Sequence, residues 1–524
     1  MTQLYDSSAQ RPGALPPPGC PAHGEAGAEP LHAPEFGADP FAVYRRLREA
    51  HGPLAPVELD RGVPAMLCLG YDTALEVMRR PETFSKDPRH WRARNEGLLP
   101  ESSYAPQVIR PRPQVDFVDG EEHRRLRGAI EDTTGRIDSS ALRNYVERIA
   151  DSLIDQFCEA GEAELIGAYC ALVPIMVTSQ LFGCPQEIMD RLLRGVAAFI
   201  DGSDPSGGDR TSGAALRELI DLKRREPGAD ITSWLIAHPA RLSDEELVEQ
   251  LLLLIGMVTG VVPGLIGNAL RVLLTDERFS GELMGGSMLV EDALDEVLWT
   301  DPPLANLGLY FPVHDTNLAG KRLRAGDAVM ISFAATNRDA LLRSPHKQGN
   351  RAHLAFGAGA HACPGRSSAR LIASVALEKL LDRIPDLALA GEVEELRWLS
   401  GIFVRGVITL PVRFAPVPRP GSRRGAPPAA RPGEPGPQGQ PGAQGQPGPL
   451  GQPGPLGQRQ EAPPGTPPPP PIPPISLPFA TDAASAAEPP TGAGPGPESE
   501  QQAEDGQKQQ SILLGFLNRW RRAR

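Results

Sequence analysis

The sequence lacks closely paired cysteines, a surplus of basic residues, an apolar leader and any unbroken apolar run of membrane-spanning length. Its six cysteines are Cys20, Cys68, Cys158, Cys170, Cys184 and Cys363, with no Cys-x-x-Cys pair. That spacing argues against a zinc framework or a disulfide scaffold, and a reducing cytoplasm is the simple reading. Lysine and arginine total 53 against 65 acidic residues, a net charge of −12, which speaks against general nucleic-acid binding. The opening residues, MTQLYDSSAQRPGALPPPGCPAHG, show no basic-then-apolar order, so no signal peptide is expected. The most apolar stretch, residues 251–270, contains Pro263, Thr259, Asn268 and four glycines. A buried core helix accommodates that mixture better than a bilayer does.

What the chain has in excess is glycine (55) and proline (57), and the excess is uneven. Residues 1–34 read as a disordered arm. Residues 35–416 have ordinary globular composition and enough length for a large core. Residues 417–510 read as a disordered Pro/Gly linker. From Gly433 to Gly457 glycine returns at every third position, a collagen-like period, but the run is short and a flexible linker is expected rather than a triple helix. PPPPPIPP at 467–474 adds a stiff spacer. Residues 511–524, SILLGFLNRWRRAR, place Leu513, Phe516, Leu517 and Trp520 on one helical face beside four arginines. Such a basic amphipathic helix is too short to span a bilayer; it suits an anionic membrane surface or a partner.

Within 35–416, FAVYRRLREAHG has the period of an amphipathic helix, with Phe41, Tyr44 and Leu47 on one face. YDTALEVMRR is a second helix, opened by a Tyr-Asp cap signal. Further helices are expected at 121–132, 139–159, 168–183, 185–201, 213–223, 243–276 and 289–299. Strand-like runs fall around 64–69 and at 307–313, 327–333 and 403–414. Many helices with few, mostly late strands predict a mainly α fold with small β-sheets.

The segment FGAGAHACPGRSSARLIA, residues 356–373, carries the chemistry. Gly357 and Gly359 let the backbone approach a flat object closely. Cys363 precedes a helix N-terminus, whose dipole and amides favour a thiolate. Phe356, Gly359, His361, Cys363 and Gly365 together resemble the haem-loop signature of cytochrome P450, F-x-x-G-x-H-x-C-x-G. The resemblance extends over about 35–416: DGEEHRRLRGAI resembles the family's C-helix, ISFAATNRDA its strand-and-turn segment before the haem loop, and HLAFG its bacterial members.

The resemblance implies haem b, with Cys363 as iron ligand. It implies that Phe356, Gly357, Gly359, Gly365 and Gly256 face the haem, and that His123, Arg127 and His361 hold its propionates. Thr259 would handle oxygen, a ferredoxin would deliver electrons, and Arg124, Arg125, Arg366 and Arg370 would form the docking patch for it. Met257, Leu304 and Ala305 would line a substrate pocket.

Three departures stand out. Val258 replaces the acid normally beside Thr259, Ile255 is bulky, and Pro263 should kink the helix. Glu296-Val297-Leu298-Trp299 replaces Glu-x-x-Arg, leaving Arg351 as a candidate partner for Glu296. No basic residue lies between Trp299 and His314; Leu309 stands near the position of the family's propionate-facing arginine. Glu-x-x-Trp resembles one actinomycete group, the 157-type of the conservon gene sets, whose products are thought to assemble at the membrane. The readings are therefore a monooxygenase of a small organic substrate, or a catalytically weakened haem-binding regulatory or scaffold subunit.

Overall fold

Three sheets and a dominant set of helices make up the chain in a computed structural model that describes residues 28–101, 103, 108–200, 205–276, 290–343, 349–399 and 401–420. The arm up to 27, the linker beyond 420 and the basic helix at 511–524 lie outside the described residues. Regular structure begins earlier than expected. The strand β1 (Glu29–Pro30) pairs in parallel with β2 (Leu54–Asp60), so part of the presumed arm belongs to the folded domain. At the other end the Val417 amide donates to the Cys158 carbonyl and Arg419 pairs with Glu159.

The remaining strands are β3 (Val63–Cys68), β4 (Phe84–Ser85), β5 (Glu162–Glu164), β6 (Asn306–Pro312), β7 (Thr316–Leu318), β8 (Lys321–Leu323), β9 (Val329–Ser332), β10 (Ala388–Leu389) and β11 (Pro411–Arg413). A six-stranded sheet runs β1-β2-β3-β9-β6-β4, with a three-stranded sheet β10-β11-β5 and a hairpin β7-β8. The expected strand at 403–414 shrinks to β11, with isolated bridges from Val404 to Leu304 and from Val407 to Trp398. The segment after β9 is not a turn: Phe333–Arg343 is helical.

Local signals explain four of the helix starts. Ser243 and Glu246 form a reciprocal capping box at the head of the Asp244–Thr275 helix, worth about 1 kcal/mol. Asp39, Asp138 and Asp230 each accept from an amide three residues on. The Tyr71–Arg79 helix is capped from a distance. Gly70 is its cap and gives no side-chain bond; Asp339, from the distant Phe333–Arg343 helix, accepts from the Tyr71 amide instead. The expected helix at 168–183 divides into a π-turn, Ile166–Cys170, and Leu172–Leu181.

The Asp244–Thr275 helix continues through Pro263 and is long and apolar enough to cross a membrane by length and composition alone. In the fold it is a core element. Leu265, Ile266, Ala269 and Leu270 pack with Leu294 and Val297 of the Val290–Thr300 helix and with Ala373 and Leu377 of the Arg366–Arg383 helix. Each fully buried Leu or Ile contributes roughly 1.5–3 kcal/mol. That packing holds the segment after Cys363 against the helix carrying Gly256 and Thr259.

Candidate functional site

The loop bearing Cys363 is built from turns that only particular residues allow. Gly357 and Gly359 have φ of +68° and +69°, the left-handed region that disfavours side chains. A Cβ on Gly359 would also collide with the Met78 carbonyl at the end of the Tyr71–Arg79 helix. The Cys363 amide donates to the Phe356 carbonyl at 2.8 Å, closing the loop. Cys363 is exposed, unlike Cys68, Cys158, Cys170 and Cys184, and all five are free. Surrounding protein still pushes its pKa up, opposed by a Gly365 amide bond to the sulfur and by Arg127 and Arg366. A metal bound at this sulfur displaces the thiol proton.

His123, on the Gly120–Thr134 helix, and His361 meet with ring centroids 4.1 Å apart. His361 bonds to Asp119 at 3.2 Å. The His123 Nε2 is buried without a hydrogen-bond partner. Burial, with His361 and Arg127 adding, pushes the His123 pKa down to about 4. Burial also lowers that of His361. Arg127 is half-buried, pairs with Glu131 at 2.7 Å, and is close enough to act on both His123 and Cys363. The spacing of the loop and helix motifs thus brings His123, Arg127, His361 and Cys363 into one neighbourhood. Asp116, Asp119 and Lys86, which join them, were not singled out in the sequence. Asp119 had a legible signal, as the residue before the first turn of the helix bearing His123.

On the Asp244–Thr275 helix, a Cβ placed at Gly256 or Gly260 would meet nothing within 4 Å. These glycines are one turn apart, so the helix presents an open trough. The Thr259 hydroxyl donates to the Ile255 carbonyl at 2.8 Å. Pro263 has no N–H, so the Thr259 carbonyl lacks its helical donor. Ile255 is buried, whereas Met257 and Val258 are half-buried. Leu304 is half-buried, but Ala305 is only 5% exposed and packs into the core beside Leu309 and Phe311. Ala305 is a poorer candidate for contact with a substrate than was expected.

The expected Arg351–Glu296 pair is replaced by a neighbouring one. Arg351 bonds Asp295 at 2.9 Å, and Arg370 bonds both Asp295 and Glu291. Asp295 is fully buried and faces inward, while Glu296 is one helical step away at a half-buried position. Trp299 takes another role. Its indole N–H donates to the Asn350 carbonyl at 2.7 Å, and its ring stands edge-on to His353, which in turn lies 5.9 Å from Phe356 of the loop. The basic docking patch is also smaller than expected. Arg370 is only 8% exposed, and Arg125 pairs with Glu246. Arg124 and Arg366 are exposed.

The haem implied by the sequence fits these residues. It needs an accessible sulfur, a flat opening on the facing helix and donors for two carboxylates. Cys363 is exposed, Gly256 and Gly260 leave space, and the buried Nε2 of His123 lacks the partner a carboxylate would provide.

No protein-family model matches the chain. The cytochrome P450 monooxygenase PikC of Streptomyces venezuelae is 33% identical over 399 residues, covering 72% of this chain and 92% of that protein. The vitamin D(3) 25-hydroxylase of Pseudonocardia autotrophica is 30% identical, covering 74% and 96%. Among solved structures, CYP154C4 from Streptomyces sp. W2061 superposes with a TM-score of 0.69 at 27% identity, covering 75% of this chain and 99% of its own.

Proposed function

The chain belongs to the cytochrome P450 family of haem b monooxygenases acting on small organic molecules, and from that premise we propose that it monooxygenates such a substrate with electrons from a ferredoxin-type partner. The carrying observation is the exposed Cys363, set in a loop whose neighbours place His123 and His361 together. Bound haem supplies dioxygen activation: one oxygen atom enters the substrate and the other leaves as water, at the expense of two electrons and two protons. Cys363 ligates the iron. Phe356, Gly357, Gly359, Gly365 and Gly256 shape the cavity around the ring, and His123, His361 and Arg127 bind its carboxylates. A ferrous–CO spectrum followed by oxygen consumption with a ferredoxin system tests the reading. Absence of haem uptake would sink it.

Thr259 is the residue proposed to hold a proton-bearing water. Its hydroxyl bonds back to the Ile255 carbonyl, and Pro263 leaves its own carbonyl without the helical donor. Val258 contributes no titratable group. Val258→Glu is therefore expected to raise the fraction of electrons recovered in product by about tenfold, below the ~100–10,000-fold that a fully positioned acid supplies. Unchanged or lower coupling would show that proton supply does not depend on this position.

For the redox partner, the two exposed arginines, Arg124 and Arg366, support docking of an acidic protein. The double charge reversal Arg124→Glu/Arg366→Glu is expected to weaken ferredoxin binding about tenfold at low salt, with a smaller difference at high salt. Equal dissociation constants would remove these residues from the docking surface.

A second reading is favoured by Val258 and Trp299, where chemistry-bearing side chains are absent: a haem-binding regulatory or scaffold subunit. Glu296-Val297-Leu298-Trp299 supports placement in the 157-type group and its conservon association. The five cysteines among the described residues, all free, support a reducing, cytoplasmic setting. The apolar and basic residues of 511–524 support peripheral membrane attachment, and vesicle binding with and without that segment decides it. A thiolate-type spectrum with no oxygen consumption on any substrate would favour the regulatory reading.

A further inference from the structure

Lys86 follows β4, whose pairing with β6 sets Ser85 opposite Phe311. The lysine side chain therefore crosses β6 beside Tyr310, with Nζ 5.5 Å from the ring centroid. The side chain is 7% exposed, and Nζ lies 2.9 Å from Asp116. Gly308, with φ of +77°, lets β6 pass close beside the Tyr310 ring, where a Cβ would stand 3.2 Å from it. The side chain of Leu309 is packed into the core instead.

A buried ammonium is costly, and a single carboxylate partner repays that cost only with good geometry and further bonds. Asp116, Tyr310 and Asp119 together hold the Lys86 pKa up against burial, so the group carries its charge. The Lys86 amide donates to Asp119 at 3.0 Å, and Asp119 bonds His361 at 3.2 Å. Asp116 is in turn within electrostatic range of His361 and His123. Lys86 is thus a buried cation beside the two imidazoles, one of which has an unpartnered nitrogen. His361 already bonds Asp119 at 3.2 Å, so the histidines leave room for a further cation at a dianion. Arg127 already shares its guanidinium with Glu131.

We propose that Lys86 is a haem-binding residue, supplying the cation for a haem carboxylate that β6 does not provide and exchanging Asp116 for that carboxylate when the haem is bound. This rests on the haem reading above. In that role Asp116 is a competitor for the ammonium, not a fellow ligand, and the two residues should have opposite effects on haem retention.

The test is haem release from the ferric holoprotein to excess apomyoglobin, together with thermal unfolding of each apoprotein. Lys86→Met is expected to release haem about tenfold faster than wild type, the scale of one charge-assisted bond. Lys86→Arg should stay close to wild type. Asp116→Asn should release haem no faster than wild type, or more slowly. If Lys86→Met and Asp116→Asn accelerate release equally and melt equally early, the pair is structural and the proposal fails. It also fails if Lys86→Met releases haem at the wild-type rate. Should Lys86→Met fold poorly, Lys86→Gln, which keeps a polar head without the charge, carries the test: it should release haem faster than wild type, and equal rates overturn the proposal. Wild-type protein that takes up no haem would bring down the haem reading itself, a different outcome from wild-type retention with an indifferent Lys86.

Discussion

Cys363→Ser is expected to abolish the thiolate-type ferrous–CO spectrum and reduce turnover by more than the ~10–100-fold that loss of an outer-sphere partner costs a metal site. Serine fits the loop, because the Cys363 amide bond to Phe356 and the Gly365 amide are backbone features that survive the exchange. What changes is the donor. A serine hydroxyl holds its proton far more tightly than a thiol and gives a harder, less electron-donating ligand. The other described cysteines offer no substitute. Cys68 and Cys184 are buried with pKa pushed up to about 12, and burial raises Cys170 well above the thiol range. A matching expectation is that, among Cys68, Cys158, Cys170, Cys184 and Cys363, iodoacetamide modifies Cys363 first in the apoprotein and that haem protects it. Survival of the thiolate spectrum in Cys363→Ser would mean that another sulfur holds the iron.

Much of this site was readable before any coordinates because the loop is a dense local constraint. Gly357 and Gly359 are required by positive φ, and Gly359 also by the Met78 carbonyl. Such positions tolerate one residue type and so leave a fixed spacing in the sequence. His123 and Arg127 were readable for a similar reason, since two residues four apart on a helix share a face. Lys86 was not. It reaches the site across a strand pair, from a position more than 200 residues before His361, and nothing local to Lys86 marks it as buried. The docking patch is smaller for the complementary reason: Arg125 and Arg370 look like surface charge in sequence, and the pairing of one and the burial of the other depend on Glu246 and Asp295 arriving from other helices.

The helices followed their apolar period closely, whereas the edges of the sheets did not. β1 is a two-residue strand in a Pro-rich stretch, and its existence depends on β2 offering an edge. The 403–414 run has strand-like composition, yet most of it bonds through isolated bridges and loop amides. Strand formation depends on partners that a local pattern does not name.

The network under the loop gives the other large expectation: Asp295→Asn should destabilise the holoprotein by roughly 3–5 kcal/mol, the cost of leaving buried charge uncompensated. Asp295 is 0% exposed and serves Arg370, Arg351 and, at 3.9 Å, His353. Asparagine keeps the volume and one carbonyl oxygen but gives up the charge. Arg370 then retains Glu291 as its carboxylate partner, while Arg351 keeps Glu291 only at 3.7 Å. The effect should reach the site through a defined route. His353 touches Trp299 edge-on and faces Phe356, the residue whose carbonyl fixes the Cys363 amide. Loosening Asp295 should therefore lower the denaturation midpoint in urea and accelerate haem release together. The buried carboxylate here is Asp295, not the neighbouring Glu296, and Trp299 contributes an indole hydrogen bond and a ring contact. Arg370→Met should approach the same loss from the cationic side, and combining it with Asp295→Leu should recover part of it, because an apolar pair removes both buried charges at once. Additive losses in the double variant would show that the two residues act separately and that the anchor beneath Cys363 lies elsewhere.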